Sequence, residues 1–317
     1  MKRSVGLAAA LLLPALAALA ALAVLAVLAV LAPKPVDASL SDDFLSIRIG
    51  ARAAGMGTGY TAAAEDADAV YWNPAGLSYA GVTEVSLMHL VWIAGLNYEH
   101  AAFLMPFEDN VSAAGAGVDV LWTGSFDSTD GFDVPVSASN ACITFSYSRK
   151  LASFFSAGAS VKYVSYSFGA SKAGAVAGDM GLLLRFGNEG ISAGVIVRNV
   201  GTNLKYGTSV EKLPMSYRAG VSYDLDMGDV GALLTADAGA ETGGSIATGF
   251  GVEIGFFGSV MLRAGLGGDG FTTGAGLSIG PVSVDYAAIP GNALGGVYYI
   301  STTIAFGEKA EEKEYDE

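Results

Sequence analysis

The chain has 317 residues with a formal net charge of −14; 15% of them are charged and 52% hydrophobic. No basic stripe is available for phosphates, which excludes nucleic acid as a partner. With 43 Gly, 15 Phe and 14 Tyr, the composition suits a β-rich membrane protein better than a soluble enzyme.

Lys2 and Arg3 lead into an apolar run from Val5 to Ala32, followed by "PKPVDASLS". The pattern reads as a secretory signal peptide over residues 1–38, with Val36 and Ala38 as the small residues before cleavage and Ser39 as the mature start. The run is also long enough to span a bilayer as a retained helix, which stays open as the alternative. No comparable apolar run follows, so any further membrane integration must use strands.

Next comes "AAGMGTGYTAAAEDADAVYWNPAGL", Ala53 to Leu77. A dinucleotide-binding glycine motif requires a strand before it, a helix after it and an acidic residue about 20 positions on, inside a βαβ unit. The flanks offer little more than "FLSIRI" as a strand, so the glycines are assigned to tight turns and close backbone approach instead. Asn73-Pro74 is a turn signal. Residues 39–81 do not alternate cleanly, and they precede the first strand. They are expected to be periplasmic, or folded into a barrel lumen as a plug.

From Val82 onward the hydrophobic period is two. In "SYRAGVSYDLD", Tyr217, Ala219, Val221, Tyr223 and Leu225 share one face, while Ser216, Arg218, Gly220, Ser222, Asp224 and Asp226 share the other. Across the segments this second face is mostly small and polar, as a barrel lumen would be, with the apolar face toward lipid. About 14 such segments recur between residues 82 and 307, predicting an all-β, antiparallel transmembrane barrel. Short links at 108–110, 151–153, 188–190, 227–229, 257–259 and 280–281 mostly alternate with longer ones at 123–137, 169–173, 201–213, 240–246 and 289–296, the short "GGDG" at 267–270 being the exception. The last segment, "VYYISTTIAF", ends on the aromatic Phe306, and residues 308–317 are expected to form an acidic, solvated periplasmic tail.

"GARAAGMGTGYTAAAEDADAVYWNPAGLS", Gly50 to Ser78, resembles the N-terminal signature of the PorV/PorQ-like outer-membrane protein family. Its Asn73-Pro74-Ala75-Gly76-Leu77 portion is also similar to the hatch of FadL-type channels. The resemblance implies an outer-membrane barrel of 14 strands whose N-terminal segment enters the lumen. Carried over by position, Asn73, Pro74, Ala75 and Gly76 become hatch residues, with Gly55 and Gly57 in the preceding turn. It further implies a non-enzymatic role with protein partners, either secreted cargo or components of type IX secretion machinery. The alternative is a FadL-type transporter of hydrophobic small molecules across the outer membrane.

Charges on the expected lumen face include Asp119, Lys162, Arg185, Arg198, Arg218, Asp224, Glu253, Arg263 and Asp285. They are expected to pair with each other or with the plug. Asp127, Asp130 and Asp133 miss the EF-hand spacing and read as a solvated loop, so no metal is expected. His89, His100 and the single cysteine, Cys142, lie in no nucleophile–base pattern. The histidines are expected at the membrane interface or in the lumen. No cofactor is expected, and outer-membrane lipid is the expected surrounding.

Overall fold

The computed structural model describes residues 44–91, 96–107, 111–122, 126–127, 135–136, 138–169, 171–186, 190–206, 209–242, 244–268, 270–292 and 295–307. In chain order the strands are β1 (Thr83–Val91), β2 (Asn97–Pro106), β3 (Ser112–Trp122), β4 (Phe126–Asp127), β5 (Pro135–Val136), β6 (Ala138–Ala152) and β7 (Phe155–Phe168). There follow β8 (Ser171–Phe186), β9 (Ile191–Gly201), β10 (Leu204–Tyr206), β11 (Ser209–Glu211), β12 (Ser216–Asp226), β13 (Val230–Glu241) and β14 (Ile246–Phe256). The series ends with β15 (Val260–Gly267), β16 (Gly270–Ile279), β17 (Val282–Asn292) and β18 (Gly295–Phe306).

All of these except β4, β5, β10 and β11 form one closed barrel in which β1 pairs with β18. Closure leaves no free sheet edge, as an antiparallel barrel in lipid requires. Each of the 14 expected segments coincides with one of the 14 barrel strands. Alternation decides which face turns in: on β14, Phe250, Val252 and Ile254 face out, while Gly249, Gly251 and Glu253 are buried in the lumen. The outer wall is apolar, with Met180 74% and Phe145 65% exposed, a burial pattern opposite to that of a water-soluble domain.

Two links are shorter than expected, because β8 starts at Ser171 and β17 runs to Asn292. The Ser, Lys, Gly and Ala of "SKAGA" hide the period at the start of β8. In β17, Pro290 falls at a register shift between Ile289 and Asn292, a place where a strand tolerates the missing N–H. Links 123–137 and 201–213 carry the two-stranded ribbons β4–β5 and β10–β11. These ribbons mark one end of the barrel. At the other, short-turn end, β1 begins and β18 finishes, pairing Thr83 with Phe306.

Residues 44–81 lie inside the barrel. They form a 3-10 turn (Phe44–Ser46), a helix at Ala51–Gly55, a helix at Ala69–Trp72 and a second 3-10 turn at Pro74–Tyr79. Gly50 precedes the first helix at φ 84°, a left-handed conformation that suits glycine. Extended Asn73 closes the second helix, and Pro74 opens the following turn. The two halves of the segment are tied together by Trp72 Nε1, which donates to the Ile49 carbonyl at 2.9 Å. The Trp72 indole also meets the Tyr60 and Tyr71 rings edge-on, at 5.9 and 5.2 Å.

Candidate functional site

The contact between this inner segment and the wall is made largely of backbone. Gly57 has φ 61°, and a Cβ there would lie 2.6 Å from both Leu266 N and Phe250 O. Opposite it stand wall glycines 249, 251, 265 and 267, each close to the Met56–Gly59 backbone. Gly55 approaches Gly274 in the same way, and Gly76 abuts the Ala64 carbonyl. Glycine faces glycine, so the plug reaches the strands without side chains between them. That arrangement accounts for the clustered glycines of the Ala53–Leu77 stretch.

Asn73 is wholly buried and satisfies three separate backbone groups. Its Oδ1 accepts from Ala75 N at 3.2 Å, while Nδ2 donates to Thr61 O at 3.1 Å and to Leu182 O on β8 at 3.2 Å. The next turn is fixed through the Ala75 carbonyl, which accepts from Ser148 Oγ at 2.9 Å and Ser156 Oγ at 2.8 Å. Pro74 and Ala75 pack against Gly158, and Pro74 also lies beside Gly181.

Each arginine expected in the lumen meets a partner there. Arg52, from the plug, forms a bidentate pair with Glu253 (3.0 and 2.7 Å). Glu253 also accepts from Arg263 at 2.5 Å, and Arg263 reaches Asp285 at 2.6 Å. Arg185 pairs with plug residue Glu65. Arg198 lies 4.4 Å over the Tyr71 ring, and Arg218 lies 5.5 Å over Trp72 while donating to Thr58 O at 3.0 Å. Asp224 faces the lumen near the short-turn end, where it stays exposed.

Two anchoring residues on the wall, Asp179 and Asp237, escaped the sequence reading, whereas Asp119, Lys162 and His100 were expected in or near the lumen. Asp237 accepts from Tyr60 N at 3.2 Å and Thr61 N at 3.0 Å. Asp179 forms a 2.7 Å pair with Lys162 and accepts from Asn199 N at 2.8 Å. His100 Nδ1 lies 2.7 Å from Asp119, and its Nε2 lies 3.4 Å from plug residue Asp68. The parity of β8 and β13 points both Asp179 and Asp237 inward, and that signal was available in the sequence. On the plug itself, Tyr60 donates to Asp66. Burial and the Asp68 carboxylate push the Asp66 carboxyl up to about 7, against the pull of Arg52.

Contrary to a uniformly polar lining, the lumen changes character along its axis. Toward the short-turn end many inward residues are polar, with Ser86, Ser148, Ser156, Ser192 and Ser301 among them, beside the apolar Leu104 and Leu183. Toward the ribbon end they include Leu90, Tyr98, Leu121, Val164, Ile289 and Tyr299, alongside the buried His100, Asp119 and Arg198. Phe44, Leu45, Ile47 and Ile49 of the plug fill this apolar half. The Phe44 ring lies 5.6 Å from Tyr98 and 6.0 Å from Tyr166. Leu204, which opens β10, and Leu213, just after β11, are buried in the same cluster as Phe44. A cavity of about 10 Å³ between Leu45, Tyr71, His100, Asp119 and Lys162 is the size of a single water. Among the described residues no group of three or more His, Cys, Asp or Glu is placed to hold a metal ion.

No protein-family model and no curated protein matches the chain. Solved structures do. The CymD monoaromatic hydrocarbon channel aligns with a TM-score of 0.59 at 13% identity, covering 83% of this chain and 98% of that one. The toluene transporter TodX of Pseudomonas putida gives 0.53 at 14% identity, covering 81% and 97%. A FadL homologue from Pseudomonas aeruginosa gives 0.51 at 13% identity, covering 80% and 98%. At these identities the likeness is one of fold: the chain is a barrel built like the FadL-type outer-membrane channels.

Proposed function

We propose that the chain is a non-enzymatic barrel of the bacterial outer membrane that passes a hydrophobic small molecule about the size of one aromatic ring. The observation carrying this reading is the apolar half-lumen at the ribbon end, occupied by the chain's own Phe44, Leu45, Ile47 and Ile49. A monoaromatic guest and the Phe44 ring bury similar areas, about 1.5–3 kcal/mol each, so exchanging one for the other is nearly balanced. Passage then requires the Phe44–Ile49 segment to shift and the polar, hydrogen-bonded half below it to loosen. The printed descriptions of CymD and TodX, a monoaromatic hydrocarbon channel and a toluene transporter, lend this reading support.

Phe44→Ala tests it. The substitution opens a dry cavity between Tyr98 and Tyr166, and an apolar cavity of that kind accepts a benzene-sized ring. Toluene binding to the purified protein is expected to tighten at least about tenfold, the scale of one buried ring. Unchanged binding, together with unchanged toluene uptake by cells making the variant, would overturn the reading.

A role with protein partners in secretion is favoured by the Gly50–Ser78 motif. Several links at the ribbon end are tight: β7 finishes at Phe168 with β8 starting at Ser171, and β17 finishes at Asn292 with β18 starting at Gly295. Such an end offers little to grip a protein cargo. Native mass spectrometry of the barrel extracted gently from its own membrane separates the two readings. A stoichiometric protein partner supports secretion, whereas a small hydrophobic mass on the barrel alone supports transport.

A further inference from the structure

The cavity of about 10 Å³ lies where the apolar half-lumen meets a charged layer. His100, Asp119 and Lys162 each stand one inward step from Tyr98, Leu121 and Val164, toward the short-turn end. All three are buried, at 3%, 7% and 5% exposure, and all three line the cavity. Leu45 of the plug, next to Phe44 in the chain, lines it too. Tyr98 belongs to both regions. Its ring lies 5.6 Å from the Phe44 ring, while its hydroxyl donates to Asp119 Oδ1 at 3.1 Å. The protein thus already seats one phenol here, ring toward the apolar half and hydroxyl on the charged layer.

Lys162 has three N–H bonds to give, and Asp179 at 2.7 Å and Asn199 at 3.2 Å take two of them. Asp119 Oδ1 accepts from Tyr98 and lies 2.7 Å from His100 Nδ1, whereas Oδ2 has no partner among the described residues. One donor and one acceptor remain beside a space the size of a single oxygen. A hydroxyl satisfies both. A carboxylate would be set against Asp119 and an ammonium against Lys162, and an ether has no proton to give Asp119. We propose that the guest is a phenol, a single ring carrying one hydroxyl, whose oxygen occupies this cavity while its ring displaces Phe44 and Leu45. The inference rests on the transport reading above and narrows its substrate class. A phenol is neutral near pH 7, so no charge has to be buried with it. Its hydroxyl makes the same hydrogen bonds as a water in that space, so replacing one by the other loses none.

Binding of toluene, p-cresol and the methyl ether of p-cresol to the full chain in lipid nanodiscs tests this, with empty nanodiscs subtracting what partitions into lipid. A purely apolar site prefers toluene, because a hydroxyl without a partner is costly to bury. Here p-cresol is expected to bind at least about tenfold tighter than toluene, and the ether no tighter than toluene. Leu45→Ala, which enlarges the cavity, should tighten p-cresol at least about tenfold further and toluene by less. Toluene bound without a p-cresol advantage overturns the phenol assignment and leaves the transport reading standing. Binding of none of the three overturns both. A p-cresol advantage that its ether shares, or that L45A leaves unchanged, would put the hydroxyl outside this cavity and overturn the site. The ligand series uses the unaltered protein, so it decides even if the variant folds poorly.

Discussion

Asn73 does more for the plug than its neighbours because one amide satisfies the turn it opens, the preceding coil and the β8 backbone. In Asn73→Leu the volume is kept while three backbone groups lose their partners. An orphaned buried group costs about 1–3 kcal/mol, and the losses are not additive because the turn can partly relax. Backbone amides around residues 60–80 should then exchange with deuterium at least about tenfold faster, the equivalent of 1.4 kcal/mol, with the strands opposite unaffected. Unchanged protection would show that Ser148 and Ser156, holding the Ala75 carbonyl, suffice without Asn73. Asn73→Asp is the informative companion. It keeps the acceptor for Ala75 N but replaces the donating NH2 with a second oxygen, set against the Thr61 and Leu182 carbonyls in a buried site.

The helix at Ala69–Trp72 and the acidic stretch before it form an element whose attachment depends on pH. Asp66 accepts from Tyr60 and neighbours Asp68, and burial raises its carboxyl from an ordinary value of 3.8 to about 7. For an acid raised in this way, the folded state holds the proton more tightly than the unfolded one. The attachment is therefore strongest below about pH 4, weakens as pH rises through 4 to 7, and is weakest above that window. Deuterium exchange of residues 60–72, corrected for intrinsic rates, should be slower at pH 5.5 than at pH 8.5 in comparable lipid. Asp66→Asn should flatten the difference at the low-pH level; a persistent difference would place the titration elsewhere. Much of this element was legible in advance. The Asn-Pro signal marked its end, and the clustered glycines marked where backbone meets backbone. Its partners were not, because Leu182 lies 109 residues from Asn73 and only barrel closure brings them together. The apolar half-lumen stayed hidden for another reason. Leu90, Tyr98 and Val164 are as apolar as their outward neighbours Val91 and Tyr163, so alternation gave no contrast there.

Over the whole molecule, a wall with apolar residues outside and a glycine-to-glycine seal inside divides the barrel into two unlike ends. At the short-turn end, polar hydroxyls and ion pairs hold the plug; at the ribbon end, aromatic and aliphatic side chains surround Phe44. The two halves resist displacement differently. The apolar half can exchange one ring for another at little net cost, whereas breaking the Arg52–Glu253–Arg263 group strands charges in a buried site at about 3–5 kcal/mol. On the proposed transport function a hydrophobic guest arriving from outside is expected to meet the ribbon end first, where Phe44 and its aromatic neighbours are the side chains it displaces. On that function the expected orientation is ribbons outside and short turns in the periplasm, with the strand termini at Thr83 and Phe306 on the periplasmic side. Cysteines introduced at Val210 on β11 and at Gly228 between β12 and β13, both exposed, report it directly. In intact cells a membrane-impermeant maleimide should label the Val210 variant and spare the Gly228 variant until the outer membrane is breached. The reverse pattern would put the apolar half toward the periplasm, making the polar, ion-paired half the first barrier an incoming molecule meets.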